Sequence, residues 1–145
     1  MLRLSTVVVA LAFTFLTVTA ETKVLQLSLT PDIALYDRDT VIEGLDLAIW
    51  GENEQRSLTL GFVNGSKKNS AGLSLGLINY GNNYKGVRIG LYNSGHHFVG
   101  YSGAMVNIYR GNFTGWADAI YNQVDMKMYG LQTGLVNYAK EMRGV

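Results

Sequence analysis

The sequence contains no cysteine. That excludes a disulfide framework, cysteine-ligated zinc, a thiol nucleophile and a lipid anchor on an amino-terminal cysteine. It has one proline, and with 48% hydrophobic residues it is neither collagen-like nor a long disordered linker. Charge is scarce and balanced: 16% of residues are charged, with 12 Lys+Arg against 11 Asp+Glu. There is no basic footprint for nucleic acid and no acidic tail. The two histidines are adjacent, His96-His97, and no further ligand stands at a metal-binding spacing. No Walker motif and no His-Glu-x-x-His occurs. The residues therefore suggest no catalytic group, no cofactor and no metal site, and the expected reading is not an enzyme.

What is present begins at the amino terminus. Arg3 is the only early charge, residues 4–18 are unbroken apolar and hydroxyl sequence, and Val18-Thr19-Ala20 puts small residues at a cleavage position. Residues 1–20 read as a signal peptide, because the apolar run covers roughly 22 Å, short of a ~30 Å hydrocarbon core. Removing Arg3 leaves 11 basic against 11 acidic residues, a net charge of zero. The mature chain is then one small exported domain that must stabilise itself by packing and backbone pairing. Residues 21–43 read as short strands leading into a repeat array.

From residue 44 the chain repeats. The units are Gly44-Leu-Asp-Leu-Ala-Ile-Trp-Gly51, Ser57-Leu-Thr-Leu-Gly-Phe-Val-Asn64, Gly72-Leu-Ser-Leu-Gly-Leu-Ile-Asn79 and Gly86-Val-Arg-Ile-Gly-Leu-Tyr-Asn93. They continue as Gly100-Tyr-Ser-Gly-Ala-Met-Val-Asn107, Gly115-Trp-Ala-Asp-Ala-Ile-Tyr-Asn122 and Gly130-Leu-Gln-Thr-Gly-Leu-Val-Asn137. Six of the seven units end in Asn, all seven have Gly or Ala fifth, and the steps between them are 13–15 residues.

Large apolar residues recur at the second and sixth positions, and in the first four units at the fourth. A period of two is a strand signature and puts those residues on one face. An aromatic or Met two residues upstream of the Gly, as at Tyr84, Phe98, Phe113 and Met128, extends the strands backward. Two all-β architectures fit. One is a repetitive antiparallel meander curling toward a barrel, with glycine rows helping it bend. The other is a parallel β-solenoid, in which each unit is a coil and the Asn side chains stack into a ladder at one corner. The meander is favoured on two grounds: the unit is roughly symmetric about its third position, as antiparallel pairing would use, and hairpin turns absorb uneven steps easily.

Gly130-Leu-Gln-Thr-Gly-Leu-Val-Asn-Tyr-Ala-Lys140 resembles the Gly-Leu-Gln-Ile-Gly-Leu-Val-Asn-Tyr-Ala repeat of bacterial exported surface-repeat or envelope proteins. The resemblance covers about residues 44–145. It implies a bacterial cell-envelope setting, whether outer membrane, periplasm or cell surface, and no agreed activity. The last three units depart from it, with Gly103, Asp118 and Thr133 where an apolar residue is expected. The array stops at Gly144-Val145, the first two residues of another unit, so it reads as truncated.

These features lead to a non-enzymatic exported envelope protein with a structural or surface role. The alternative is a module that binds glycan, lipid or protein through aromatic rows of the sheet, with membrane association open and nucleic acid excluded. The candidate binding residues are Asp118, Trp116, Tyr101, Tyr92 and Tyr121. Asp118 stands out because a lone carboxylate in an apolar layer must be solvated, protonated or paired. By alternation, Tyr92 and Tyr121 share a face with Tyr84, Phe98 and Phe113, while Tyr101 and Trp116 lie on the other. Asp46 and Arg88 share the third position of their units, on a solvated face or in an ion-lined lumen. The repeated Asn reads as structural, bonding its own backbone at a strand end and tolerating left-handed geometry.

Overall fold

The structure, a computed structural model, describes residues 21–145. The expected signal peptide, residues 1–20, lies outside the described residues. The described chain is all-β, as the alternation requires: β1 (Thr22–Thr30), β2 (Ile33–Ala34), β3 (Val41–Leu75), β4 (Ile78–Ile89), β5 (Tyr92–Gly95), β6 (Phe98–Gly103), β7 (Val106–Tyr109), β8 (Phe113–Asp118), β9 (Tyr121–Thr133) and β10 (Val136–Gly144). Apart from the short antiparallel β1–β2 pair, the strand pairings are parallel. Gly72 pairs with Gly86, Gly86 with Gly100, Gly100 with Gly115, and Gly115 with Gly130.

Each repeat is thus one coil of a β-solenoid. The seven units, with the coil opened by β1, make about eight coils. The antiparallel meander is corrected. So are the β-barrel and the outer-membrane setting attached to it, because coils stacked along an axis do not close a sheet on itself. No helix among the described residues is long and apolar enough to cross a membrane.

Both arguments for the meander have a physical answer in the coil. The first-position glycines are not merely small: Gly72, Gly86, Gly100, Gly115 and Gly130 have φ between 129° and 141°, a region that L side chains avoid. A Cβ on Gly86 would run into the Gly72 carbonyl oxygen, and one on Gly100 into that of Gly86. The glycine column is a close approach of backbone to backbone, not one half of a mirror-symmetric unit. The uneven steps are taken up at one corner, where the register shifts between Ser66 and Asn69 and again between Ala139 and Glu141.

The coil also changes which residues are inside. The third position points inward, whereas the second and fourth point out. The Gly-X pair at positions five and six then turns a corner and resets the phase, so that the seventh residue points out and the eighth in. The interior is built from the third position, the eighth, the residue two beyond the eighth, and the residue two before each Gly.

The eighth-position asparagines form the expected ladder. Asn64 donates to Asn79 at 3.0 Å and Asn79 to Asn93 at 2.8 Å. Ser102 then bridges from Asn93 (3.0 Å) to Asn107 (2.8 Å), and Asn107 donates to Asn122 and Asn122 to Asn137, each at 2.9 Å. The same amides reach the fourth-position carbonyls of the next coil, at Leu75, Ile89, Gly103 and Thr133. The asparagines therefore bond mainly the neighbouring coil rather than their own strand end, and none of them has positive φ.

Along the axis the filling changes character. Gln26, Asn53, Gln55, Asp46 and Thr59 fill the early coils, whereas Tyr84, Phe98, Phe113, Tyr109, Val124 and Met128 fill the later ones. Phe98 stacks on Phe113 at 4.9 Å between centroids, an offset geometry that favours aromatic pairs.

If the glycine column holds the coils together, Gly100→Ala should lower stability by more than about 2 kcal/mol. Val99→Ala, at its exposed neighbour, should change it by less than about 0.5 kcal/mol. Equilibrium urea denaturation followed by far-UV circular dichroism measures both.

Candidate functional site

Because the phase resets at the corner, the large apolar side chains of the repeat are spread over the outside. The sixth-position column, Ile49, Phe62, Leu77, Leu91, Met105, Ile120 and Leu135, is exposed throughout, with Phe62 at 59%. Beside it stand the second-position column, with Leu58, Leu73, Val87 and Leu131, and the fourth-position column, with Leu47, Leu60, Leu75 and Ile89. Eight coils at about 4.8 Å and a width of four residues give a face of about 38 Å by 13 Å, roughly 500 Å² in plan. That is at the upper end of what a monomer exposes in one patch. It continues into an apolar groove of about 520 Å³ where Leu27, Leu29, Ile33 and Leu35 meet Leu47 and Ile49.

The later coils break this face with polar chemistry. Thr133 Oγ1 donates to Asp118 Oδ1 at 2.7 Å and accepts from Trp116 Nε1 at 2.8 Å, and Tyr101 Oη donates to Asp118 Oδ2 at 3.4 Å. The Tyr101 and Trp116 rings meet edge to face at 5.2 Å. Partial burial, with the Asp118 carboxylate beside it, holds the Tyr101 hydroxyl above the ordinary phenol value. Gly103 lies under Tyr101, and a Cβ there would come within 2.8 Å of the hydroxyl. Tyr101, Gly103 and Asp118, together with Met105, Ile120 and Leu135, border a shallow cavity of about 520 Å³.

Asp118 is therefore paired by hydrogen bonds and half-exposed, on the outside of the coil. Three of the five candidate residues converge here: Tyr101, Trp116 and Asp118. Tyr92 and Tyr121 stand on the other side of the corner, where Tyr121 donates to Gln123 at 2.8 Å. Tyr84, Phe98 and Phe113, placed by alternation with Tyr92 and Tyr121, are instead buried in the core.

Other features resolve as structural. His97 Nδ1 accepts the Asn112 backbone N–H at 2.8 Å, and no group of three metal-ligating side chains occurs among the described residues. Gly72-Leu73-Ser74-Leu75-Gly76 spells Gly-x-Ser-x-Gly, the letter pattern of a serine nucleophile elbow, which the repeat conceals in the sequence. Ser74 is buried within β3 and donates to Asn79 Oδ1 at 2.8 Å, so its hydroxyl belongs to the ladder. Comparison with protein families, with curated proteins and with solved structures finds no match for this chain.

The carboxyl group that does lie in the interior is Asp46. It accepts from Gln55 Nε2 at 2.9 Å through Oδ2, while Oδ1 has no partner. Burial pushes its pKa up to about 6, against the lowering effect of the Gln55 hydrogen bond. A folded-state value above the unfolded one means that stability is full below about pH 4 and falls as pH rises through about 6. Asp46→Asn keeps an acceptor for Gln55. Its stability relative to wild type should therefore rise between pH 4 and pH 8, by up to roughly 2–3 kcal/mol. Asp118→Leu should change stability by less than about 1 kcal/mol, because the apolar gain on an exposed face is offset by the lost Thr133 hydrogen bond. Urea denaturation of the three proteins across that pH range measures both effects.

Proposed function

We propose that this protein is a non-enzymatic binding module that works through the apolar outer face of its solenoid, and that the partner is a second copy of the same face. One observation carries the reading: the apolar side chains at the second, fourth and sixth positions of the repeat stand outside, in straight columns. Outward side chains at a regular spacing can interdigitate with a like sheet about 10 Å away, as in a β-sandwich core. Side chains standing above the plan raise the accessible area toward the ~800 Å² per partner of a standard stable interface.

The charges agree with this. The edge of the face carries Glu43, Arg56 and Lys85, of both signs, so a like face is not repelled. A lipid surface would be favoured by an excess of basic residues, which the face lacks. Export, read from residues 4–18, is part of the same proposal.

Sedimentation velocity should show a dimer that dissociates on dilution. Phe62→Glu combined with Ile89→Glu should raise its dissociation constant at least ten-fold while leaving the circular dichroism unchanged, since both side chains are exposed in the single chain. A chain that stays monomeric at every concentration, or that floats with neutral phosphatidylcholine vesicles instead of pairing, overturns the proposal.

A further inference from the structure

Away from that face, on the wall that follows the Gly-X corner, lies a groove of about 530 Å³ whose lining includes Lys67, Lys68, Tyr80, Tyr92, His96 and Arg110. Behind its wall sits Arg88, a third-position side chain only 1% exposed. The guanidinium occupies space left by two glycines: a Cβ on Gly81 would lie 3.0 Å from Nη2, and one on Gly95 3.3 Å from Nη1. Nη1 donates to the Ser94 carbonyl at 2.8 Å and Nη2 to Ser66 Oγ at 2.7 Å. Both of these residues line the groove. The cation also lies 4.2 Å from the Tyr84 ring centroid.

Among the described residues no carboxylate pairs with Arg88, and its Nε has no partner. A buried cation without a counter-ion is costly, and two hydrogen bonds and a ring offset only part of that. Its field crosses a wall one backbone thick. On the far side Lys68 and Arg110 are exposed and likewise without a paired carboxylate among the described residues. Lys67 pairs with Asp39 at 2.9 Å, and the one carboxylate of the lining, Glu52, faces Arg38 at 3.9 Å and accepts from the Tyr80 hydroxyl at 2.6 Å.

We propose that this groove binds an acidic carbohydrate chain. The excess of cations, one of them fixed and desolvated, selects an anion. From Lys67 to Arg110 the lining spans three coil steps, about 14 Å, the reach of an oligosaccharide rather than of a single small ion. Tyr92 offers a ring for sugar stacking, and Asn82 and Ser94 offer polar groups for hydroxyls, the mix of flat apolar and placed polar groups that small-molecule sites use. This site shares no lining residue with the outer apolar face, so the two readings stand or fall separately.

The test is calorimetric titration with a galacturonic acid tetramer, a neutral glucose tetramer and inorganic phosphate. The acidic tetramer should bind at least ten-fold more tightly than the neutral one. Lys68→Glu with Arg110→Glu should weaken it at least ten-fold, as should raising the salt to 1 M, and Tyr92→Ala should weaken it several-fold. Arg88→Gln should weaken it as well. If that variant fails to fold, the exposed pair alone decides. The Phe62→Glu, Ile89→Glu chain should bind the acidic tetramer unchanged. No binding of the acidic tetramer, equal binding of both tetramers, binding of phosphate alone, or indifference to the charge reversal overturns the proposal.

Discussion

The structure depends on like residues lying directly over like residues at the spacing of a parallel sheet, about 4.8 Å. Two columns impose that register. At the first position, glycines with φ near 130° let one coil's backbone approach the carbonyl oxygen of the coil beneath. At the eighth, each asparagine amide needs both a neighbouring amide and a fourth-position carbonyl of the next coil, and only stacking in register supplies the two together. The glycines fix how closely the coils approach, and the asparagines fix which corner faces which. Ser102 shows how strict the second constraint is: between Asn93 and Asn107 the ladder continues only because a hydroxyl from the adjacent column enters it.

Once the coil is set by these columns, the large apolar residues are not needed inside. The interior of a coil this short is narrow, and most of its positions hold Ser, Thr, Asn, Gln or an aromatic ring lying flat in a stack. Leu and Ile at the second, fourth and sixth positions are therefore left to the exterior, where they form a face at the upper end of what a monomer exposes in one patch. The same economy of space explains Arg88. It is a side chain too long for its column, accommodated because its own coil has Gly95 and the preceding coil Gly81 where later coils have Tyr109 or Val124.

The repeat, the strands and the absence of helix among the described residues were legible in the sequence, because Gly, Gly or Ala, and Asn recur with fixed offsets that no helix would place on one side. The direction of pairing was not. The alternation of a strand is the same in parallel and antiparallel sheets, and the symmetry of the unit pointed the wrong way because φ cannot be read from a glycine's letter. The asparagine ladder was the discriminating sign: a side chain that must pair with its own kind along an axis has no use in a meander. Carrying the alternation through the fifth and sixth positions also put Tyr92 and Tyr121 with Tyr84, Phe98 and Phe113, whereas the corner there shifts the phase by one. Asp118 drew notice for breaking the repeat, yet it broke an outward column, where Thr133 and Tyr101 could meet it. Asp46 is the carboxyl in the interior, and it looked ordinary because its column tolerates polar residues in most units.

A stack of coils that contact only their neighbours distributes stability along its axis rather than through one core. Here the two ends of the described array rest on different physics. In the later coils Tyr84, Phe98, Phe113 and Met128 bury apolar surface, a non-directional term that does not depend on one particular partner. In the early coils Gln26 bonds Asn53, Asn53 bonds the Asp37 and Thr40 carbonyls, and Gln55 bonds Asp46, so that each buried polar group relies on a specific partner. Such a network is stable only when complete, since a buried donor or acceptor left unmade costs more than the bond contributed. The interior of the early coils therefore depends on directional pairs, whereas that of the later coils adds an apolar stack to the asparagine ladder they share. Arg88 belongs to both regimes, with its guanidinium against the first aromatic ring of the stack and its hydrogen bonds on the serines that precede it and follow it.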